Sequence, residues 1–144
     1  MTQSELIIFL QQKCNGVSNG VSQTSLAISE TTFWHKSAPE VWSIAENLQH
    51  LIQSAVPVAG LLNAPREVLI ERFGKPAAPS RSYEEVVTAY KTVLATGVKA
   101  SGIFLPQIAE GTTKEMIQTI FEQTNAALME SIGKWNEEIG RAHV

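Results

Sequence analysis

Apolar residues recur every three or four positions in four long segments of the chain, which is the spacing of one face of an α-helix. The segment nearest the C-terminus is the cleanest, with one apolar face that extends over about six turns. No segment shows continuous alternation of β-branched residues. The pattern therefore predicts an all-α chain, and the cleanest stripe consists of Met116, Ile117, Ile120, Phe121, Ala127, Leu128, Ile132 and Trp135.

Three of these segments carry a helix start signal known as the capping box. In this motif, a hydroxyl and a carboxylate three residues later satisfy the first free N–H groups of a helix. The three matches predict helices that begin within about two residues of each hydroxyl. They are Ser43-Ile-Ala-Glu46, Ser82-Tyr-Glu-Glu85 and Thr112-Thr-Lys-Glu115.

A helix is also predicted at the N-terminus, where Leu6, Leu10, Cys14, Val17 and Val21 share a stripe. This segment contains a tandem repeat, Asn-Gly-Val-Ser at residues 15–18 and again at 19–22. Asn-Gly pairs form turns and weaken helix interiors. The alternative, a two-stranded hairpin, has strands too short to be stable alone, so we expect a helix.

Proline and glycine mark the connectors at residues 31–41, 74–81 and 100–111. Pro57 lies inside the second helical segment and removes a backbone hydrogen bond, so we expect a kink near Ser54 or a break there. Residues 65–73 would then form a separate short helix. Four main helices joined by short loops predict an up-down four-helix bundle.

Composition supports one domain and excludes several classes of function. A chain of 144 residues with 44% hydrophobic content fits one compact domain. A net charge of -3, without a Lys/Arg cluster, argues against nucleic acid and membranes as partners. The N-terminus lacks the basic and apolar regions of a secretory signal, and no apolar stretch approaches the length of a membrane span. We therefore expect a cytoplasmic protein.

The stock of chemically active residues is small. A single cysteine, Cys14, excludes an intramolecular disulfide and a cysteine-based zinc site, and we expect it to be a small apolar residue on a helix. The chain contains no aspartate, which excludes Ser-His-Asp catalysis. Phosphate-binding glycine loops and EF-hand loops are absent as well.

One segment resembles a known family. Residues 33–51 contain Trp42-Ser43, then Glu46, then His50-Leu51, in the order and spacing of the DinB-like superfamily of DNA-damage-inducible proteins. Members of this superfamily are four-helix bundles that bind a divalent metal ion through three histidines. The resemblance implies that His50 is one metal ligand. It also implies that the other two ligands belong to an H-x-x-x-H motif on the last helix.

The resemblance further implies a cofactor and an activity for the intact parent protein. The cofactor is a divalent metal such as Zn, Ni or Fe, and the activity is that of a thiol-dependent transferase or a metal-dependent hydrolase. Its substrate would be a small thiol or another small molecule. This sequence has no H-x-x-x-H, however, and neither His35 nor His143 has the position of a missing ligand. Catalytic residues are therefore not assigned.

The spacing of the same residues also allows purely structural roles. Trp42 stands just before a helix start, where a hydrophobic residue packs back on the first turn. Glu46 is explained by the capping box. His50 lies off the apolar stripe and shares a face with Glu46, four residues earlier, so a solvated histidine paired with Glu46 is the alternative to a metal ligand.

The end of the chain has an unusual sequence. Ile139-Gly-Arg-Ala-His-Val144 resembles the translation of a common sequencing-library adapter, ATC GGA AGA GCA CAC GTC, whose next codon, TGA, is a stop. We interpret residues 139–144 as a non-native tail and residues 1–138 as a single DinB-like helical domain that lacks its final metal-ligand helix. A natural terminus is the alternative. We expect the fragment to be inactive.

Two functions are thus expected from the sequence. The first is a DinB-like, divalent-metal-binding bundle. The second is a non-catalytic helical bundle that acts through dimerisation, which the small number of catalytic residues favours. In either case the uncovered apolar faces of the helices predict a homodimer.

Overall fold

The computed structural model describes residues 1–75 and 81–135. In these two ranges the regular secondary structure is helical, with no β-strand, which confirms the all-α prediction. None of the described helices is both long and apolar enough to cross a bilayer. The elements are α1 (Gln3–Ala27), α2 (Glu30–Trp34), α3 (Ile44–Leu62), α4 (Arg66–Phe73), α5 (Tyr83–Ala95), a 3₁₀ turn (Gly102–Phe104) and α6 (Lys114–Gly133).

Two of the predicted capping boxes form as expected. The Ser43 hydroxyl accepts a hydrogen bond from Glu46 N at 3.1 Å, and the Glu46 carboxylate accepts one from Ser43 N at 2.8 Å. Ser82 and Glu85 make the same reciprocal pair at the start of α5. A further box, between Thr2 and Glu5, starts α1 and was not predicted, although its sequence has the same form.

The third predicted box is wrong by one residue. Thr113, rather than Thr112, caps α6, because its hydroxyl accepts a hydrogen bond from Met116 N at 3.2 Å. The Thr112 hydroxyl donates instead to the Ala109 carbonyl at 2.7 Å, within the turn that precedes the helix. The start of α6 still lies within two residues of the predicted one.

Helix α1 runs without interruption through both Asn-Gly pairs, so the hairpin alternative is excluded. Tertiary contacts with α6 explain this result. The Gln11 side chain donates to the Met129 carbonyl at 3.1 Å, and the Ser22 hydroxyl donates to Glu122 at 2.6 Å. Packing along α6 offsets the weak helix propensity of the glycines.

Pro57 does not break the second helical segment, which corrects the expectation of a break. Helix α3 continues to Leu62, with Pro57 on its exposed side. Contacts with α6 lie on both sides of the proline: Ile52 is in the shared core, and Asn63 Nδ2 donates to Ser131 Oγ at 2.7 Å. These contacts hold the helix across the missing hydrogen bond. The short helix predicted at residues 65–73 is present as α4.

Helices α1, α3 and α6 pack together, with α6 against both of the others. Hydrogen bonds at both ends show that α3 and α6 run in the same direction and α1 in the opposite one. Lys114, at the start of α6, bonds to Ile28 at the end of α1, whereas Trp135 Nε1 bonds to the Leu62 carbonyl at the end of α3. The core consists of Phe33, Ala45, Leu48, Ile52, Ile117 and Phe121.

The core includes one residue from a segment that was predicted to be only a connector. Residues 30–34 form the short helix α2, capped by the Ser29 hydroxyl, and its Phe33 is fully buried. Lys114 closes this end of the bundle: its ammonium donates to the Ile28 carbonyl at 2.6 Å and lies 5.9 Å from the centre of the Phe33 ring.

Helix α5 does not pack among the other three main helices. Of its residues, Val87 alone is half-buried and the rest are exposed. Its clearest tertiary contact is the edge-on approach of the Tyr83 ring to Phe9, with centroids 5.2 Å apart. The described residues therefore form a packed unit of three long helices, with the fourth predicted helix beside it. The predicted connector at residues 74–81 includes residues 76–80, which lie outside the described ranges.

Candidate functional site around His50

The site begins at the first turn of α3, where Glu46 is fully engaged in helix capping. Its carboxylate accepts hydrogen bonds from Ser43 N at 2.8 Å and from Lys36 Nζ at 2.9 Å. Partial burial raises the pKa of Glu46, but the hydrogen bonds from Lys36 and Ser43, with the charge of Lys36, outweigh it and leave the pKa below its ordinary value. Glu46 is thus an ionised structural carboxylate.

His50 lies one turn later and bonds to the backbone of a distant loop. Its Nδ1 is 2.7 Å from the Phe104 carbonyl oxygen, and its ring is tilted against that of Trp42 with centroids 5.0 Å apart. At 100° per residue, His50 is about 160° around the helix from both Leu48 and Ile52, so it points away from the core face. The alternative of a solvated His50 paired with Glu46 does not describe this geometry.

Gln53 strengthens the same attachment. Its side-chain Nε2 donates to the carbonyls of Ile103 at 2.6 Å and Leu105 at 3.0 Å, while its Oε1 accepts from Gln107 N at 2.9 Å. Together with His50, this glutamine ties residues 103–107 to α3. Sequence reasoning missed Gln53, although its position three residues after His50 places the two side chains on neighbouring parts of one face.

The hydrogen bond to Phe104 determines which nitrogen of His50 carries the proton. A carbonyl oxygen can only accept, so Nδ1 must be the donor. In the neutral ring, Nε2 then has the free lone pair. Histidines that bind metal ions almost always donate their other ring N–H to a carbonyl or carboxylate in this way, which fixes the ring orientation. The geometry of His50 therefore suits a metal ligand that binds through Nε2.

The other predicted ligands do not join His50 in the described structure. His35 is exposed and forms the C-cap of α2, and His143 lies outside the described residues. Within residues 1–75 and 81–135, no group of three or more His, Cys or Glu side chains could hold a metal ion. By themselves, these residues do not form a metal site.

Cys14 and an apolar cavity beside the end of α3 offer no further chemistry. Cys14 is half-buried on α1, and burial raises the pKa of its thiol, which disfavours the reactive thiolate. A cavity of about 320 Å³ lies between α3, α4 and Trp135. It has no titratable group in its lining, which consists of Val58, Leu61, Leu62, Leu69, Phe73, Gly74 and Trp135.

Comparison with known proteins adds no relative. The chain has no significant match to a protein-family model, to a curated protein or to a solved structure.

Proposed function

We propose that this chain is a DinB-like helical bundle and that its intact parent binds a divalent metal ion through Nε2 of His50. The sequence support is the Trp42-Ser43, Glu46 and His50-Leu51 motif. The single structural observation that supports it is the 2.7 Å hydrogen bond between His50 Nδ1 and the Phe104 carbonyl. This bond leaves Nε2 as the metal-binding nitrogen.

The proposal places the remaining ligands on a helix beyond residue 138 of the parent. Bound there, the metal would lower the pKa of a coordinated water or thiol, which is the chemistry of a hydrolase or a thiol-dependent transferase. A small thiol or another small molecule in the cytoplasm is the substrate class that accompanies this proposal. The 144-residue chain itself is then inactive, because one imidazole is not a coordination set.

Within the chain, the proposed roles are limited to holding and orienting the ligand. The Phe104 carbonyl holds the His50 proton at Nδ1, and Trp42 packs against the imidazole ring. Gln53 fixes the segment that supplies this carbonyl, through its bonds to Ile103 and Leu105. These residues would hold the ring in place before any metal arrives, which lowers the cost of ordering it on binding.

A calorimetric titration with Zn²⁺ or Ni²⁺ tests the assignment. The chain should bind weakly, and His50→Ala should remove the heat that is specific to this imidazole. His35→Ala is the matched control, because His35 is exposed and lies outside the motif. If His35→Ala removes that heat and His50→Ala leaves it unchanged, the assignment of His50 is wrong. Tight one-to-one binding lost in His50→Ala would instead show that the chain already contains a complete site.

A second candidate function is that of a non-catalytic bundle that acts through dimerisation. The observation that favours it is the exposed apolar side of α5, on which Tyr90 is 65% and Val93 53% exposed. An apolar helix face without a covering element is typical of a protein–protein contact surface.

A further inference from the structure

The exposed apolar side of α5 has the form of an interaction surface. We name it the α5 stripe, and it consists of Tyr83, Val86, Val87, Tyr90, Val93 and Leu94. Four members are about half exposed or more: Val86 at 47%, Tyr90 at 65%, Val93 at 53% and Leu94 at 48%. A helix of 13 residues is marginal in water without packing of its apolar face, so a stable α5 needs a covering surface.

The described part of the chain does not cover the α5 stripe. It holds α5 only near its two ends. At its start, the Tyr83 ring contacts Phe9 of α1. After its end, residues 103–107 are tied to α3 by His50 and Gln53. These attachments leave most of the stripe in solvent.

The charges beside the α5 stripe are self-complementary. Glu84 and Lys91 are seven residues apart, so they lie on the same edge of the stripe, two turns from each other. In the described residues, neither side chain forms an ion pair. When two identical helices pack antiparallel, the same edge of each faces the other. Glu84 would then approach Lys91 of the partner subunit, and Lys91 would approach Glu84 of the partner subunit.

We propose that a second copy of this chain covers the α5 stripe, with the two α5 helices packed antiparallel around a two-fold axis at the level of Val87. This arrangement is a closed, isologous interface, in which the same patch of both copies is used. Tyr90 lies across from the first turn of the other helix, and the two Glu84–Lys91 pairs lie along one edge of the apolar contact. A parallel arrangement would instead place opposite edges of the two stripes against each other and leave Glu84 and Lys91 without charged partners. The interface does not involve His50, so it holds or fails independently of metal binding.

Sedimentation velocity of the full chain and of Tyr90→Lys tests the apolar contact. The wild-type chain should form a dimer, and Tyr90→Lys should weaken dimerisation at least about tenfold, as expected for a central aromatic residue in an interface. Because Tyr90 is 65% exposed, the circular dichroism of the monomer should not change. Glu71→Lys, on the exposed face of α4, is the control and should leave the dimer intact. A wild-type chain that stays monomeric up to millimolar concentration contradicts the proposal.

A charge exchange tests the antiparallel register. Glu84→Lys and Lys91→Glu should each weaken the dimer, and the double exchange should restore it. Within one helix these positions are about 10 Å apart along the axis, so restoration reports a contact between copies. A Cys14→Ser, Val87→Cys chain should also form a disulfide-linked dimer, because the axis brings both copies of residue 87 together. If the double exchange fails to restore the dimer, or crosslinking occurs through Glu84→Cys rather than Val87→Cys, the antiparallel interface is wrong.

Discussion

His50 and Gln53 show how two side chains fix the path of residues 103–105, whose own side chains are exposed. They make hydrogen bonds to the carbonyls of three successive residues, Ile103, Phe104 and Leu105. The sequence predicted the histidine through the DinB-like motif and the loop through Gly102 and Pro106. The contact between them was not predictable, because it joins positions 54 residues apart and leaves no periodic signal.

Glu46 should make the stability of the chain sensitive to acid. Its pKa in the folded chain is below the ordinary value of 4.5, so the unfolded state takes up the proton first. The stabilisation is therefore complete above pH 4.5 and is lost as the pH falls through the folded pKa. Thermal melting between neutral and acid pH should show a smaller acid-induced loss for Glu46→Gln than for wild type. An equal loss in Glu71→Gln and Glu46→Gln would contradict this role.

Lys114 should stabilise the bundle through the end of α1. Lys114→Met removes the ammonium that donates to the Ile28 carbonyl and should cost about 1.5–3 kcal/mol, the range for hydrogen bonds of charged groups. Lys134→Met is the matched control, because Lys134 is exposed and pairs with Glu130 on the surface, where such pairs contribute little. Chemical denaturation measures the change in the free energy of unfolding for both variants. Equal effects of the two substitutions would show that the buried contact contributes nothing specific.

At the level of elements, local sequence signals predicted where helices begin better than they predicted which helices pack together. The capping boxes of Ser43 and Ser82 predicted the starts of α3 and α5 because a cap is a contact within four residues. Helix α2 was missed, since five residues are too few for a periodic pattern. Continuity through Pro57 and through the Asn-Gly pairs was not predictable from local propensity, because packing against α6 decides both.

The glycines of α1 should be replaceable with a gain in stability. A Cβ at Gly16 or Gly20 would meet no atom within 4 Å, and both residues are helical. Gly16→Ala and Gly20→Ala should each raise the free energy of unfolding by about 0.5–1 kcal/mol. Gly97→Ala is the contrast, because Gly97 has φ +78° and the substitution should destabilise the chain. Thermal unfolding by circular dichroism gives all three values, and a loss at both Gly16 and Gly20 would contradict this expectation.

For the whole molecule, the described core is formed by α2, α3 and α6, with α1 packed along α6. The four main helices were predicted correctly. The expected bundle of all four is not seen in the described residues, where α1, α3 and α6 pack together and α5 lies beside them. A stripe shows that a helix has an apolar face and does not show which surface covers it. The stripe of α5 is as regular as the others, yet it lies mostly in solvent.

Hydrogen exchange should therefore divide the chain into two classes under conditions where it is monomeric. The amides of α5 should exchange much faster than those around Ile52 in α3 and Phe121 in α6, because α5 lacks buried contacts that resist local opening. Raising the protein concentration should slow exchange in α5 selectively if the helix is covered by a second copy. Protection of α5 equal to that of α6 in the monomer would contradict the described packing.

The most direct test of the proposed DinB-like identity compares this chain with a version extended from the authentic genetic locus beyond residue 138, by thermal melting with and without divalent metal. We expect the extended protein to melt at a higher temperature, because an added helix buries apolar surface at about 25 cal/mol per Å². We also expect metal to raise its melting temperature further, and His50→Ala to abolish that increase. If the extended protein melts no higher and metal shifts neither form, the non-catalytic bundle replaces the metal-binding one.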